Sequence, residues 1–170
     1  MKAKKEPCPE CAGKKSTSPD EHMMSFVRYL HLFAPVTTES FYVLDIPQKQ
    51  FCYVKPDNLF LCGFSVDDAQ KDGYGFYSKI VYSEDLSLWT DMRREVLRYL
   101  KYFEAKRNEI DYFSCTFRLQ RHHPISPSHP FPQMIYHRMK PVWVDNKLRY
   151  LICSVRTSTI KEAGHLCVYN

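Results

Sequence analysis

Glycine is scarce in this sequence, and long apolar runs are absent. Five glycines among 170 residues leave no glycine-rich loop of the kind that cradles phosphates. No apolar run approaches the ~20 residues that a membrane helix needs, and the basic start MKAKKEPCPEC is not followed by the apolar part of a secretory signal. We therefore expect a cytoplasmic protein without membrane association, whose seven cysteines are reduced thiols.

Recognisable catalytic motifs are also absent. The sequence contains neither G-x-S-x-G nor H-E-x-x-H. Asp67 and Asp68 are neighbours, and neighbouring side chains on a helix point about 100° apart, so the two do not form a matched acid–base pair. We expect a protein that is not an enzyme.

Apolar and aromatic side chains are abundant. Hydrophobic residues make up 44% of the chain, with 12 tyrosines and 11 phenylalanines, which indicates one globular domain with extensions. The net charge is +5, but residues 1–19 hold five lysines and two glutamates, which leaves 19 basic and 17 acidic side chains elsewhere. This near balance disfavours direct nucleic-acid binding by the globular part.

The first half of the chain predicts a basic flexible tail, a helix, a hairpin and several short helices. Residues 1–19 are polar and rich in proline and serine, and residues 20–35 form an amphipathic helix. SFYVLDI and QFCYVKP then predict a β-hairpin. Ser65 is a natural N-cap for the next helix, and Gly73 lies where a left-handed helix stop is expected.

The second half predicts one long helix and three strands. Ser83 can cap a helix whose apolar stripe recurs at spacings of three and four. IDYFSCTFRLQ alternates as a half-buried strand, HHPISPSHPFP is a loop, and two more strands flank a turn at Asp145 and Asn146. The result is an α+β fold, with five antiparallel strands, short helices and a long helix on one face, and an N-terminal flanking helix. The stripe consists of Leu86, Trp89, Met92, Val96, Leu100 and Phe103.

These elements and their motifs together resemble a PAS domain, a small sensory module. FYVLDIPQKQFCYVKPD is similar to the family's opening hairpin, and YSEDLSLW to the entry into its long helix, although Tyr82 and Ser83 stand where the family has His and Pro. The resemblance covers residues 40–158, and residues 159–170 then form a C-terminal linker. A third segment resembles the family's G-[FY]-S-x-[DE]-[DE] motif through Gly63, Phe64, Ser65, Asp67, Asp68, Ala69 and Lys71.

Within that family, the chain is most similar to the N-terminal sensor of LuxR-type transcriptional regulators. That likeness implies a homodimer that acts on DNA through a helix-turn-helix, which these residues do not contain. Either that module has been cut off or the output runs through a partner, and HLCVYN, a strand-like run without a stop, favours truncation.

The same resemblance allows cofactors to be considered. Covalent flavin chemistry needs a reactive cysteine, and the corresponding stretch DGYGFYS has none. Haem binding needs an axial histidine on or near the long helix, and residues 84–106 contain none. We therefore expect neither cofactor. Cys62 follows an apolar leucine and is expected in the core, and His137 lies in a strand and could face either side.

A metal site is a separate alternative. Cys8 and Cys11 form a C-x-x-C pair, which is half of a zinc site. His165 and Cys167 are candidate ligands if the termini meet. The other interpretation is a tail with two free thiols.

Three functional hypotheses follow. The leading one is a sensor that binds a small ligand or a partner and passes the signal to an output domain through its flanking helix and dimerisation. The second is a protein–protein interaction adaptor with a filled core, and the third a zinc-dependent nucleic-acid-binding protein. For the first, the candidate ligand-binding residues are Tyr42, Leu44, Tyr53, Trp89, Met92, Phe117 and Ile152.

Overall fold

A computed structural model describes residues 19–102, 109–121 and 132–170, except for the side chains of residues 19 and 20. Short 3-10 segments follow α1 and α3 and precede α5. Within this part of the chain the helices are α1 (Pro19–Phe33), α2 (Asn58–Leu61), α3 (Val66–Asp72), α4 (Tyr77–Ile80) and α5 (Leu86–Tyr102). The strands are β1 (Ser40–Asp45), β2 (Gln50–Val54), β3 (Tyr112–Leu119), β4 (Gln133–Val144), β5 (Lys147–Thr157) and β6 (Gly164–Tyr169).

The strands form one sheet in the order β2-β1-β5-β4-β3-β6, and every neighbouring pair is antiparallel. The sheet has six strands, so the expectation of five is wrong, and so is a linker over all of residues 159–170. Tyr169 lies opposite Tyr112, and Val168 opposite Phe113. The physical reason is that β3 would otherwise be an edge strand with unpaired backbone groups, and the alternating run at the end of the chain can pair with it.

Each face of the sheet packs against helices. Alternation along the strands sends Tyr42 and Leu44 of β1 to an inner face, where α2–α5 pack, and Phe41 and Val43 to an outer face. All six residues of β1 are buried, because the strand is covered on both sides.

α1 lies on the outer face. The predicted amphipathic helix is present, and a 3-10 turn at Ala34–Val36 continues it. Met23, Phe26, Val27 and Leu30 recur at helical spacing and pack on a small outer core. That core contains Phe41, Val43, Tyr53 and Tyr150.

Capping residues begin and end the short helices, and the cap at Ser65 is the one that the sequence predicted. The Ser65 hydroxyl accepts a hydrogen bond from the backbone N–H of Asp68 at 3.1 Å, and the Asp68 carboxylate accepts one from the N–H of Ser65 at 2.9 Å. This capping box gives Asp68 a structural role, and Asp67 lies beside it in the first turn of α3. Cys62 ends α2 in the left-handed conformation. Gly73 ends α3 at φ 54° and ψ −132°, which is not the left-handed helix stop expected, because the chain continues directly into a 3-10 turn.

The start of α5 differs from the expected cap. Ser83–Asp85 form a 3-10 turn without a side-chain cap. Asp85 instead accepts hydrogen bonds from the backbone N–H and the guanidinium of Arg118 on β3. The predicted stripe is buried at Trp89, Met92, Val96 and Leu100, whereas Phe103 lies outside the described residues. None of the helices described is both long and apolar enough to cross a membrane.

Candidate functional site

Aromatic rings occupy the space between the inner face of the sheet and α5, where a ligand was predicted. The rings of Tyr42 and Phe60 stack with centroids 4.1 Å apart. Trp89 of α5 lies 4.9 Å from Tyr77 and 4.7 Å from Phe117. These spacings are those of direct contact between aromatic rings. The side chains themselves therefore fill this part of the core.

A chain of polar groups runs through this aromatic cluster. The Tyr77 hydroxyl donates to the Tyr42 hydroxyl at 2.7 Å, and the Tyr42 hydroxyl lies 2.7 Å from Nε2 of His137. On the other side of the ring, Nδ1 of His137 lies 3.8 Å from the Sγ of Cys115. We call these four residues the core relay. All are buried, so each pairs with another group of the relay instead of with water.

Burial fixes the charge states within the core relay. It lowers the pKa of His137 to about 3, so the imidazole is neutral at physiological pH. It raises the pKa of Cys115 to about 12, and it raises the pKa of Tyr42 well above its usual value. The core relay is therefore an uncharged network. Cys62 is buried in the same core, as expected, and its pKa is raised to about 12 by burial.

The predicted ligand-binding residues are divided between the two faces of the sheet. Tyr53 and Ile152 belong to the outer core beneath α1, because both lie opposite Val43 in their respective strand pairs. They do not line the same space as the other five. The inner core contains Tyr42, Leu44, Trp89, Met92 and Phe117.

Open grooves lie elsewhere on the described part of the chain, and two of them run beside helices. One, of about 410 Å³, runs between α5 and the strands β3 and β6, with Tyr99, Phe113 and Leu166 in its wall. The other, of about 250 Å³, lies between α1 and the adjoining ends of β4 and β5, and Ile152 forms part of it. The second groove is almost entirely apolar, as expected for a helix that rests on a sheet.

The candidate zinc ligands come from both ends of the chain. Cys8 and Cys11 lie outside the described residues. His165 is exposed, with Nε2 3.7 Å from the Glu162 carboxylate, and Cys167 is an exposed free thiol. Among the residues described, no group of three or more His, Cys, Asp or Glu side chains is arranged to hold a metal ion.

The side of α1 that faces away from the sheet is unusually apolar. Tyr29, Leu32 and, in the 3-10 turn that follows, Val36 recur at spacings of three and four, and all are more than half exposed. Phe33 is also more than half exposed, although its ring centroid lies 6.0 Å from that of Phe41 in the outer core. Leu32 and Val36 are 70% and 77% exposed. Large apolar side chains grouped in this way on a surface mark an association site more often than chance exposure.

Comparisons with known proteins bear on the fold alone. No protein-family model and no curated protein matches the chain. A solved structure does match: a domain of a Haloarcula marismortui protein proposed to be a light and redox sensing histidine kinase. It has a TM-score of 0.51 and 11% identity, and the match covers 78% of this chain and 99% of that one. The fold is PAS-like.

Sequence reasoning missed the central position of His137. The signal was available, because His137 alternates with Ile135 and Met139 on β4, and both of these are apolar. A strand that buries those two residues buries the histidine between them.

Proposed function

We propose that this chain is a non-catalytic, signal-sensing PAS-like module of a transcriptional regulator, and that it works by association through α1. The observation that carries the proposal is the two-sided apolar character of α1. One side packs on the sheet through Met23, Phe26 and Leu30, and the other presents Tyr29 and Leu32 to solvent.

The filled core supports an input at the surface. A small molecule that occupied this part of the core would have to displace Phe60, Tyr77 or Trp89, and such packed rings resist displacement. Of the functional hypotheses, the geometry thus favours an adaptor with a filled core over a sensor with an internal ligand. We keep the sensory role in the proposal because α1 flanks a PAS-like fold. A signal that shifts α1 would alter an output domain attached to the module.

The occupant of the exposed side of α1 is a second copy of this chain. In a symmetric dimer the same patch serves both subunits, and an apolar stripe without opposing charges is self-complementary. The resemblance to LuxR-type sensors supports the same arrangement, in which two modules bring two DNA-binding domains together.

The test is the oligomeric state of the full chain by analytical ultracentrifugation. We expect a dimer that the double substitution Tyr29→Glu/Leu32→Glu converts to a monomer with unchanged circular dichroism. The matched control Leu88→Glu/Tyr102→Glu alters two exposed apolar residues on α5 and should leave the dimer intact. A monomeric wild-type chain, or dissociation by both variants, would contradict the proposal.

Output to DNA is tested separately. A helix-turn-helix domain fused after Asn170 should repress a palindromic reporter, and Tyr29→Glu/Leu32→Glu should abolish repression. The location of the input is tested by thermal shift with a metabolite panel. A metabolite that stabilises the wild-type chain, but not Tyr42→Phe, would move the input from the surface to the core.

A further inference from the structure

The outer face of the sheet has a second region, beyond the strand ends that α1 covers. α1 rests on Tyr150 and Ile152 and on Val142 and Val144, at the adjoining ends of β4 and β5. At the opposite ends of these strands, and on β3 and β6, tyrosines and arginines are prominent among the outward side chains, beside Lys140, which pairs with Asp111. We call this set the tyrosine–arginine surface: Tyr112, Tyr136, Arg138, Arg156 and Tyr169.

Strand register brings these side chains together. Tyr112 lies opposite Tyr169, and the two rings stack with centroids 4.4 Å apart at 16°. Tyr136 lies opposite Arg156. Arg138 follows Tyr136 by two residues on the same strand, so both point outward.

Two guanidinium groups lie over one ring. The guanidinium carbons of Arg138 and Arg156 lie 5.4 Å and 4.9 Å from the centroid of Tyr136, and Arg138 is also 5.3 Å from the centroid of Tyr112. These contacts hold both cations in place on rigid strands. The two side chains are thus ordered before any partner arrives, which lowers the entropic cost of binding.

Neither cation has a carboxylate partner among the described residues. The other arginines that line the sheet do: Arg118 pairs with Asp85, and Arg149 with Asp45. In the described part of the chain, no ion pair involves Arg138 or Arg156, and Nε of Arg138 is buried without an acceptor. A slight reorientation of that side chain toward an incoming oxyanion would satisfy the donor.

The electrostatic environment of Tyr136 reflects the same excess of donors. Burial alone would raise the pKa of Tyr136, but hydrogen bonds with Ser114, Tyr169 and Arg138 outweigh it and lower the pKa. The surface therefore favours negative charge.

The chemistry of the partner follows from which groups of the tyrosine–arginine surface are already in contact with one another. Base stacking on single-stranded nucleic acid needs free aromatic faces, whereas two guanidiniums lie over Tyr136, and the stacking of Tyr112 on Tyr169 occupies one face of each ring. The principal groups left for a partner are the hydrogen-bonding edges of two guanidiniums, whose geometry matches carboxylate and phosphate oxygens, and with few ring faces left for bases the carboxylate is favoured. The surface spans four strands, and this breadth suits an extended polypeptide better than a single small ion.

We propose that the tyrosine–arginine surface is a docking site for an acidic segment of a partner protein, with Arg138 and Arg156 as the residues that bind its carboxylates. It is distinct from α1, so dimerisation and acidic-partner binding are separable.

Binding of a fluorescent poly-glutamate peptide to the full-length chain tests this by anisotropy at low ionic strength. We expect that Arg138→Gln/Arg156→Gln weakens binding by roughly tenfold, which corresponds to about 1.4 kcal/mol, because both charged donors to the peptide carboxylates are lost. The control Arg94→Gln/Arg98→Gln removes the same charge from exposed positions on α5 and should change affinity less than about twofold.

Several outcomes would overturn the proposal. These are no binding of poly-glutamate, equal loss in both double variants, or tighter binding of oligothymidine with the same dependence on Arg138 and Arg156. The last result would identify a nucleic-acid site instead. If the double variant does not fold, two other measurements decide between these outcomes. Arg156→Gln alone should weaken peptide binding, and the amide chemical shifts of the wild type that change on addition of the peptide should lie on β3–β6 and not on α5.

Discussion

The Tyr42 hydroxyl lies 2.7 Å from Nε2 of His137, although 95 residues separate them in sequence. The contact joins β1 to β4 across β5, which lies between them in the sheet. Tyr77 donates to the same hydroxyl, so Tyr42 is the middle member of the core relay. Since its oxygen accepts from Tyr77, its own hydrogen is available for Nε2, and His137 then carries its hydrogen on Nδ1, toward Cys115.

Removal of the central hydroxyl should cost more stability than removal of a terminal one. Tyr42→Phe removes the hydrogen bonds of this hydroxyl with Tyr77 and His137 and leaves Nε2 of His137 without a donor, so we expect a loss of about 2–3 kcal/mol. Tyr77→Phe breaks one bond and should cost about 1 kcal/mol. Urea unfolding of both variants measures the difference, and an equal or reversed order would show that the relay direction is wrong.

His137 should make stability fall in acid. Its pKa is lowered in the folded chain to about 3 from 6.5. Below about pH 6.5 the unfolded chain therefore gains a proton that the folded chain does not bind, and stability decreases by about 1.4 kcal/mol per pH unit until the folded pKa is reached. Above pH 6.5 this group contributes no pH dependence.

The measurement is urea unfolding of wild type and His137→Phe between about pH 7 and pH 5. The wild type should lose about 2 kcal/mol more than the variant over this interval. The other six histidines titrate in both proteins, so the difference isolates His137. Parallel pH profiles would contradict a buried, neutral imidazole.

Local signals made most of the fold predictable. The capping box at Ser65 and the stripe through Trp89 and Val96 depend on residues three or four positions apart, so the sequence alone carries them. The sixth strand was missed for a different reason. Whether residues 164–169 pair with β3 depends on an unpaired edge formed about 50 residues earlier, and no short-range pattern reports it.

The candidate site was harder to predict than the fold. Which face a strand residue occupies depends on register, and a slip of one residue reverses every side chain. The pairing of β1 with β2 shifts between Val43 and Leu44, so Tyr53 lies opposite Val43 on the outer face while Tyr42 is inside. The tyrosine–arginine surface likewise exists only once Tyr136 and Arg156 are in register.

Asp85 should be the more important of two acidic partners of Arg118. Its carboxylate is 4% exposed and accepts from the backbone N–H and Nε of Arg118 at 2.7 and 3.0 Å. Asp85→Ala leaves those donors without acceptors and removes the contact between the start of α5 and β3. We therefore expect the stability of the fold to fall by about 3 kcal/mol. Glu84 contacts the same guanidinium but is 66% exposed, and Glu84→Gln should cost less than about 0.5 kcal/mol. Thermal unfolding of the two variants makes the comparison, and similar losses would refute it.

Gly73 should not tolerate a side chain. Its φ is +54°, and an added Cβ would lie 2.6 Å from the carbonyl oxygen of Lys49. Backbone strain and this clash act together, because Lys49 lies in the turn between β1 and β2 and the backbone N–H of Tyr74 donates to the same carbonyl. Gly73→Ala should therefore destabilise the chain by about 2–3 kcal/mol.

Gly75, two residues later, has nothing within 4 Å of an added Cβ, and Gly75→Ala is the matched control with no comparable loss. Urea unfolding of both variants decides, and a Gly73→Ala midpoint equal to that of Gly75→Ala would show that the hairpin turn can move away from α3 at no cost.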